Sequence, residues 1–288
     1  MDRTPVVPVV DIADVERAVD PIARACSRTG FFAAVGHGLD VEIPSIFAAA
    51  HSFFGQSTPT KERSAMIANN GYAGLGSARA GGKEMFDVAL AGYQRWPELT
   101  GFRGAVEQYQ VAALAVAARV LRAIAIGLDV AAGFFADRMH HPQCFLRMLR
   151  YPARPTGAAP DVLTGQHTDY GAITLLATDG VAGLEVRTID GDWVAVDVPP
   201  DALVVNLGDM LARWTNDRYV STPHRVTASE GRDRYSIPFF VNPDPETEVS
   251  CIPSCVSPEH PCGYEPITAA DFLQGRIDGT IPLDDVRR

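Results

Sequence analysis

The chain has 288 residues and a mass of 31.0 kDa, and its 47% hydrophobic and 21% charged residues exclude extensive disorder and leave material for a sizeable core. A formal net charge of −10 repels phosphate backbones and anionic headgroups, so neither nucleic acid nor a membrane is an expected partner. Five cysteines, Cys26, Cys144, Cys251, Cys255 and Cys262, show no zinc-type spacing and no secretory context, which predicts reduced thiols in a cytoplasm.

From Met1 to Asp11, valines broken by Pro5 and Pro8 reach an acidic residue too early for a secretory segment and predict an edge strand. Val15, Ala18, Val19, Ile22 and Cys26 recur at helical spacing, and Gly30 follows as a stop. Phe31 to Val35 reads as a strand, Gly36-His37-Gly38 as a turn, and Val41 to Phe54 as a second helix. Between Asn69 and Gly82, Gly71, Gly74, Gly76, Gly81 and Gly82 predict a loop at a pocket rim. A long helical region runs from Gly101 to about Leu128. Its stretch from Val111 is apolar enough to suggest a membrane span, but Arg119 and Arg122, one turn apart, make it a core helix. A shorter helical piece carries Phe134 and Phe135.

Beyond Gln143, short segments rich in Val, Leu, Ile, Thr and Phe alternate with Pro, Gly and Asp turns, the pattern of a sandwich or barrel. Helices first and strands afterwards predict an α+β fold, with N-terminal helices packed on one face of a double-sheet jelly roll. Residues 1–100 are expected to form a mixed α/β region and residues 101–288 a helix plus the jelly-roll core, as one cooperative unit.

In Gln166-His167-Thr168-Asp169, an imidazole and a carboxylate stand two residues apart, and alternation in extended chain sends both to one side. His224, some fifty-five positions beyond Asp169, is the third candidate ligand. Two histidines and one carboxylate leave three adjacent octahedral positions open, the arrangement of Fe(II) oxygenases, whereas zinc is more often closed by cysteines. A dicarboxylate chelating such an iron has a second carboxylate to neutralise. Arg234 can do so bidentately, and Ser236, on the same strand face, can add a hydroxyl.

Together, His167-Thr168-Asp169 with Thr174 following, Asn206-Leu207-Gly208-Asp209, His224, Arg234-Tyr235-Ser236 and the N-terminal Phe31-Phe32 before Gly36-His37-Gly38 resemble the isopenicillin-N-synthase-like 2-oxoglutarate/Fe(II) dioxygenases over nearly the whole chain. The resemblance implies a double-stranded β-helix core and Fe(II), O2 and 2-oxoglutarate as cofactor and cosubstrates, with ascorbate as an assay additive. It further implies oxidation of a small soluble metabolite by hydroxylation, desaturation, cyclisation or epoxidation, with release of succinate and CO2. Tyr151 matches a position that in relatives hydrogen-bonds the cosubstrate, while Leu149 stands where many plant members carry asparagine. A carboxylate at position 169 disfavours halogenation, since related halogenases leave that slot small and neutral. An Ala-, Gly- and Val-rich chain shorter than the plant enzymes fits a bacterial natural-product or catabolic enzyme, a monomer or weak homo-oligomer. The alternatives are a 2-oxoglutarate-independent oxidase of the isopenicillin N synthase type and a non-catalytic metal or ligand sensor.

For substrate contacts, alternation from Arg234 and Ser236 turns Phe240 inward, and alternation from Tyr151 turns Arg147 inward. Arg147 can then meet an anionic substrate or pair with a buried acid. Arg79, Lys83 and Phe86 lie in or just after the glycine-rich loop, where relatives close over their substrates. His37, His51, His140, His141 and His260 receive no function.

Overall fold

Eight strands form the larger sheet, in the order β1 (Val9–Asp11), β2 (Phe31–Val35), β10 (Leu203–Leu207), β7 (Ile173–Thr178), β12 (Arg234–Val241), β5 (Phe145–Tyr151), β4 (Glu84–Ala89) and β3 (Gly71–Ala73). A four-stranded sheet, β6 (Val162–His167), β11 (His224–Thr227), β8 (Leu184–Arg187) and β9 (Trp193–Ala195), supplies the second wall. This computed structural model describes residues 7–155, 157 and 161–281. Apart from the parallel β1–β2 pair, every strand ladder among the described residues is antiparallel, so the sheets are those of a jelly roll rather than of a doubly wound α/β fold. The predicted N-terminal edge strand is β1, although its first six residues lie outside the described ones.

Period-two patterning separates the two faces of the large sheet. On β12, Tyr235, Ile237, Phe239 and Val241 join the core beneath the helices, which leaves Arg234, Ser236, Pro238 and Phe240 for the face between the sheets. The helical side is covered by α1 (Val15–Arg28), α2 (Glu42–Phe54) and α4 (Phe102–Gly127), a short α3 (Thr58–Glu62) standing before β3. Asp14 caps α1 by accepting from the Arg17 amide at 3.1 Å. α4 is long and apolar enough to cross a membrane by composition, with half of that window buried. Val106, Ala113, Val120 and Ile124 sink into the same core as Ile22, Phe53 and Ile237, as the core-helix reading expects. A smaller cluster including Phe31, Met85, Leu149, Tyr151, Leu184, Val204 and Val226 is the apolar lining between the sheets.

Four expectations need correction. The glycine-rich segment is not all loop, because Gly71–Ala73 pairs with β4 as β3. The piece expected to be helical around Phe134 and Phe135 is a turn leading into a single 3-10 turn at Ala136–Arg138, with both rings edge-on to Trp214. The second half carries two helices, α5 (Asp209–Trp214) and α6 (Ala269–Asp278). The latter is bounded by a Thr268 cap and a left-handed Gly279 at φ +72°. Lastly, Cys251 and Cys262 form a disulfide with Cα atoms 5.9 Å apart, while Cys26, Cys144 and Cys255 are free and buried. The pairing follows from the two-stranded ladder of β13 (Glu248–Val249) and β14 (Ile267–Thr268), which folds the intervening chain back on itself.

Candidate metal centre

Antiparallel pairing of β11 with β6 sets His224 directly across from His167, with ring centroids 4.3 Å apart. Asp169 follows in the turn after β6. Its Oδ1 lies 3.9 Å from His167 Nε2 and 3.7 Å from His224 Nε2, and the three donor atoms fall within 4.8 Å of one another. One ion can bridge them.

The outer atoms of each ligand are already committed. His167 Nδ1 sits 2.9 Å from the Gly165 carbonyl and His224 Nδ1 3.2 Å from that of Thr222. A carbonyl only accepts, so both Nδ1 atoms carry the proton and both Nε2 lone pairs face the shared centre. Asp169 Oδ2 accepts from Thr174 Oγ1 at 2.5 Å and Asn206 Nδ2 at 2.7 Å, which leaves Oδ1 for the ion. Thr174 and Asn206 are a cross-strand pair of β7 and β10, so the sheet itself aims the carboxylate. Burial would raise the Asp169 acid, but the two imidazoles and these two hydrogen bonds outweigh it and hold the group below the usual carboxylate range. For His167, burial and then the nearby His224 depress the imidazole, favouring the neutral form that binds metal.

Behind the ligands, the chain between Asp169 and Ala172 is pressed against the start of α5. Asp209 N donates to the Asp169 carbonyl at 2.8 Å, and a Cβ on Gly208 would lie 2.3 Å from the Gly171 carbonyl, so only glycine fits. The Asp209 carboxylate accepts from Thr168 Oγ1 at 2.9 Å and pairs with Arg276 of α6 at 2.8 Å. The Arg276 guanidinium also lies 4.7 Å from the Tyr170 ring. The C-terminal helix thus braces the ligand turn from outside, a role the sequence did not reveal. Arg276→Ala is expected to weaken Fe(II) binding about 10- to 100-fold, the usual cost of losing an outer support, in a metal titration of the folded variant. Unchanged affinity would remove this bracing role.

The cosubstrate candidates lie on the same inner face. Arg234 is 1% exposed. Its Nε donates to the Val181 carbonyl and its Nη1 to Ser236 Oγ, both at 3.2 Å, and its Cζ stands 5.2 Å from the Tyr151 ring. Among the described residues no carboxylate comes within 4.0 Å of it, and burial holds the guanidinium below its ordinary value. Tyr151 is buried, with its hydroxyl 3.4 Å from Thr164 Oγ1.

The substrate candidates divide. Phe240 faces inward, opposite Thr174 in the ladder, and stacks on Phe145 with centroids 4.4 Å apart. Arg147 faces inward too, but as a forked ion pair with buried Asp87, at 2.8 and 2.7 Å. Alternation along β4 puts Met85 and Asp87 on one face, but no local pattern pairs Asp87 with Arg147 on the neighbouring strand. Phe86 must be corrected: it points to the helical side, fully buried against Phe53 and Phe102. Arg79 is exposed and donates to Asn69 Oδ1. Of the histidines without a function, His140 and His141 give their backbone amides to Asp244 and His37 and His260 bond backbone carbonyls.

A family model described as the 2OG-Fe(II) oxygenase superfamily matches residues 142–243, and one described as the non-haem dioxygenase in morphine synthesis N-terminal matches residues 7–100. The 2-oxoglutarate-Fe(II) type oxidoreductase hxnY of Emericella nidulans is 32% identical, over 92% of this chain and 85% of its own. Among solved structures, a full-length Neurospora crassa protein in complex with alpha-KG and thymine superposes with a TM-score of 0.89 at 26% identity, covering 97% of this chain and 98% of that one. The rice dioxygenase for auxin oxidation (DAO) gives 0.82 at 27% identity, covering 95% and 96%.

Proposed function

The chain belongs to the 2OG-Fe(II) oxygenase superfamily, and we propose that His167 Nε2, His224 Nε2 and Asp169 Oδ1 hold its iron while Arg234 and Ser236 hold the far carboxylate of 2-oxoglutarate. It is a 2-oxoglutarate-dependent non-haem iron dioxygenase acting on a small molecule. The observation that carries the residue assignment is Arg234, a buried guanidinium with no carboxylate partner among the described residues, on the inner face that the three convergent donors share. A buried cation of this kind calls for an anionic partner, and a forked guanidinium matches a carboxylate.

Bound iron supplies O2 activation, with 2-oxoglutarate as the reductant that leaves as succinate and CO2. The chain's own residues do the rest. Carbonyls of Gly165 and Thr222 fix the imidazole tautomers, Thr174 and Asn206 keep one carboxylate oxygen off the metal, and Arg234 orients the cosubstrate. Phe145 and Phe240 form an apolar wall beside Thr174 that limits water near the reacting centre. Which of hydroxylation, desaturation, cyclisation or epoxidation follows depends on which C–H or C=C bond this wall presents. The thymine complex of the Neurospora protein and the name of the rice enzyme support a compact metabolite.

The test is uncoupled turnover. With Fe(II), O2, 2-oxoglutarate and ascorbate but no other organic substrate, the protein is expected to release succinate slowly. No succinate under any condition would favour the cosubstrate-independent oxidase, in which Arg234 holds the substrate's own carboxylate.

A further inference from the structure

Among the described residues, the charges that face the space between the sheets leave one cation over. Asp87 is matched by Arg147 in a forked pair. On the reading given above, Asp169 is matched by iron and Arg234 by 2-oxoglutarate. Lys83 remains. It directly precedes β4, so alternation aligns it with Met85 and Asp87 and against Glu84, Phe86 and Val88. Met85 packs in the inter-sheet cluster with Leu149 and Tyr151, and Asp87 holds Arg147, so this face is the inner one. The preceding Gly82 abuts Leu163 of β6, the strand that ends in His167: a Cβ there would sit 3.0 Å from Leu163 Cδ2.

Lys83 is therefore placed where the glycine-rich segment meets the metal-bearing sheet. It is half-buried, and among the described residues no carboxylate lies within 4.0 Å of its Nζ. Burial, and then the neighbouring Arg147 charge, depress the ammonium below its ordinary value. Asp87 pairs with Arg147 and not with Lys83, and a partly desolvated ammonium is stabilised by an anion that arrives with the ligand. Next to Arg147, whose Cζ lies 5.6 and 5.8 Å from the two rings, the stacked Phe145 and Phe240 supply apolar surface.

We propose that the substrate is a small carboxylate with an apolar body, its carboxylate held by Lys83 and its body laid against Phe240, so that Lys83 is the residue that selects for charge. This rests on the iron and 2-oxoglutarate assignments and deepens them. Arg147 stays occupied by Asp87 and is not the anion's partner.

The experiment is calorimetric binding to the anaerobic holoenzyme loaded with Fe(II) and 2-oxoglutarate. The probes are benzoate, phenylacetate, 2-naphthoate and cyclohexanecarboxylate, each titrated against its own carboxamide. At least one carboxylate is expected to bind tenfold or more tightly than its amide. Lys83→Met is expected to erase that preference while leaving amide affinity and the melting temperature of the unliganded protein unchanged, and Lys83→Arg to keep it. Equal affinities within every pair, absence of binding by all four acids, or a preference that survives in Lys83→Met would each overturn the proposal. Binding of 2-oxoglutarate is measured on the same preparations. Its loss strikes the underlying site assignment, whereas absence of discrimination in the unmutated holoenzyme with 2-oxoglutarate still bound strikes only the role of Lys83.

Discussion

Asp169→Ala is expected to abolish 2-oxoglutarate turnover, lowering succinate release by more than about a hundredfold, because even an outer-support residue commonly costs 10- to 100-fold in metal affinity or activity. The reason is geometric. Among the described residues, Asp169 Oδ1 is the only carboxylate oxygen facing both imidazole Nε2 atoms, and its other oxygen is fixed by Thr174 and Asn206. Without it, two histidines remain and the ion loses the one anionic ligand that the protein triad supplies. The fold is expected to survive. The deletion strands one buried hydroxyl and one amide, at roughly 1–3 kcal/mol each, while the apolar core beneath the helices is untouched. Circular dichroism and a thermal melt check that half of the claim, and a succinate assay across rising Fe(II) checks the other. Near-normal turnover in a folded variant would remove Asp169 from the metal site.

Arg234→Ala should act on the cosubstrate rather than on the metal. Truncating one partner of a buried, hydrogen-bonded charge pair costs about 2–5 kcal/mol, so the 2-oxoglutarate requirement is expected to rise roughly 30- to 5,000-fold. Fe(II) affinity should stay within a few-fold, because Arg234 bonds the Val181 carbonyl and Ser236 and no metal-ligand side chain. Arg234→Lys should recover part of the loss, since an ammonium keeps the charge without the fork. An unchanged requirement in Arg234→Ala would assign the cosubstrate's far carboxylate elsewhere.

Much of the metal centre was legible because strand alternation is a local rule. His167 and Asp169 stand two apart, and the inward set Arg234, Ser236, Phe240 on β12 is the complement of the outward set Tyr235, Ile237, Phe239. The position of His224 across from His167 was not derivable that way, since a ladder register joins residues fifty-seven apart. His224 stands out as the third candidate ligand before any resemblance to a family is drawn, but its register does not. What stayed hidden depends on partners distant in sequence that no local period encodes. Arg147 finds Asp87, Thr168 finds Asp209, and Asp209 finds Arg276 only once β4, α5 and α6 are packed.

Phe86 was misplaced for a related reason. Nearness to a glycine-rich segment says that a residue is close to a rim, but only the phase of β4 says which face it takes. The structure fixes that phase through Glu84, which is buried on the helical side with Lys61 Nζ at 2.5 Å and Arg150 Nη1 at 2.6 Å. The disulfide was missed because Cys251 and Cys262 are brought together by a two-residue ladder too short to announce itself in the sequence.

Anaerobic crystals of the protein soaked with Mn(II), as a redox-silent substitute for Fe(II), and 2-oxoglutarate put the account to its most direct test. Electron density is expected to show one ion bonded to the Nε2 atoms of residues 167 and 224 and to a single oxygen of residue 169, with the cosubstrate's distal carboxylate on the guanidinium at 234. An ion seated elsewhere, or a cosubstrate that leaves that guanidinium untouched, would contradict it.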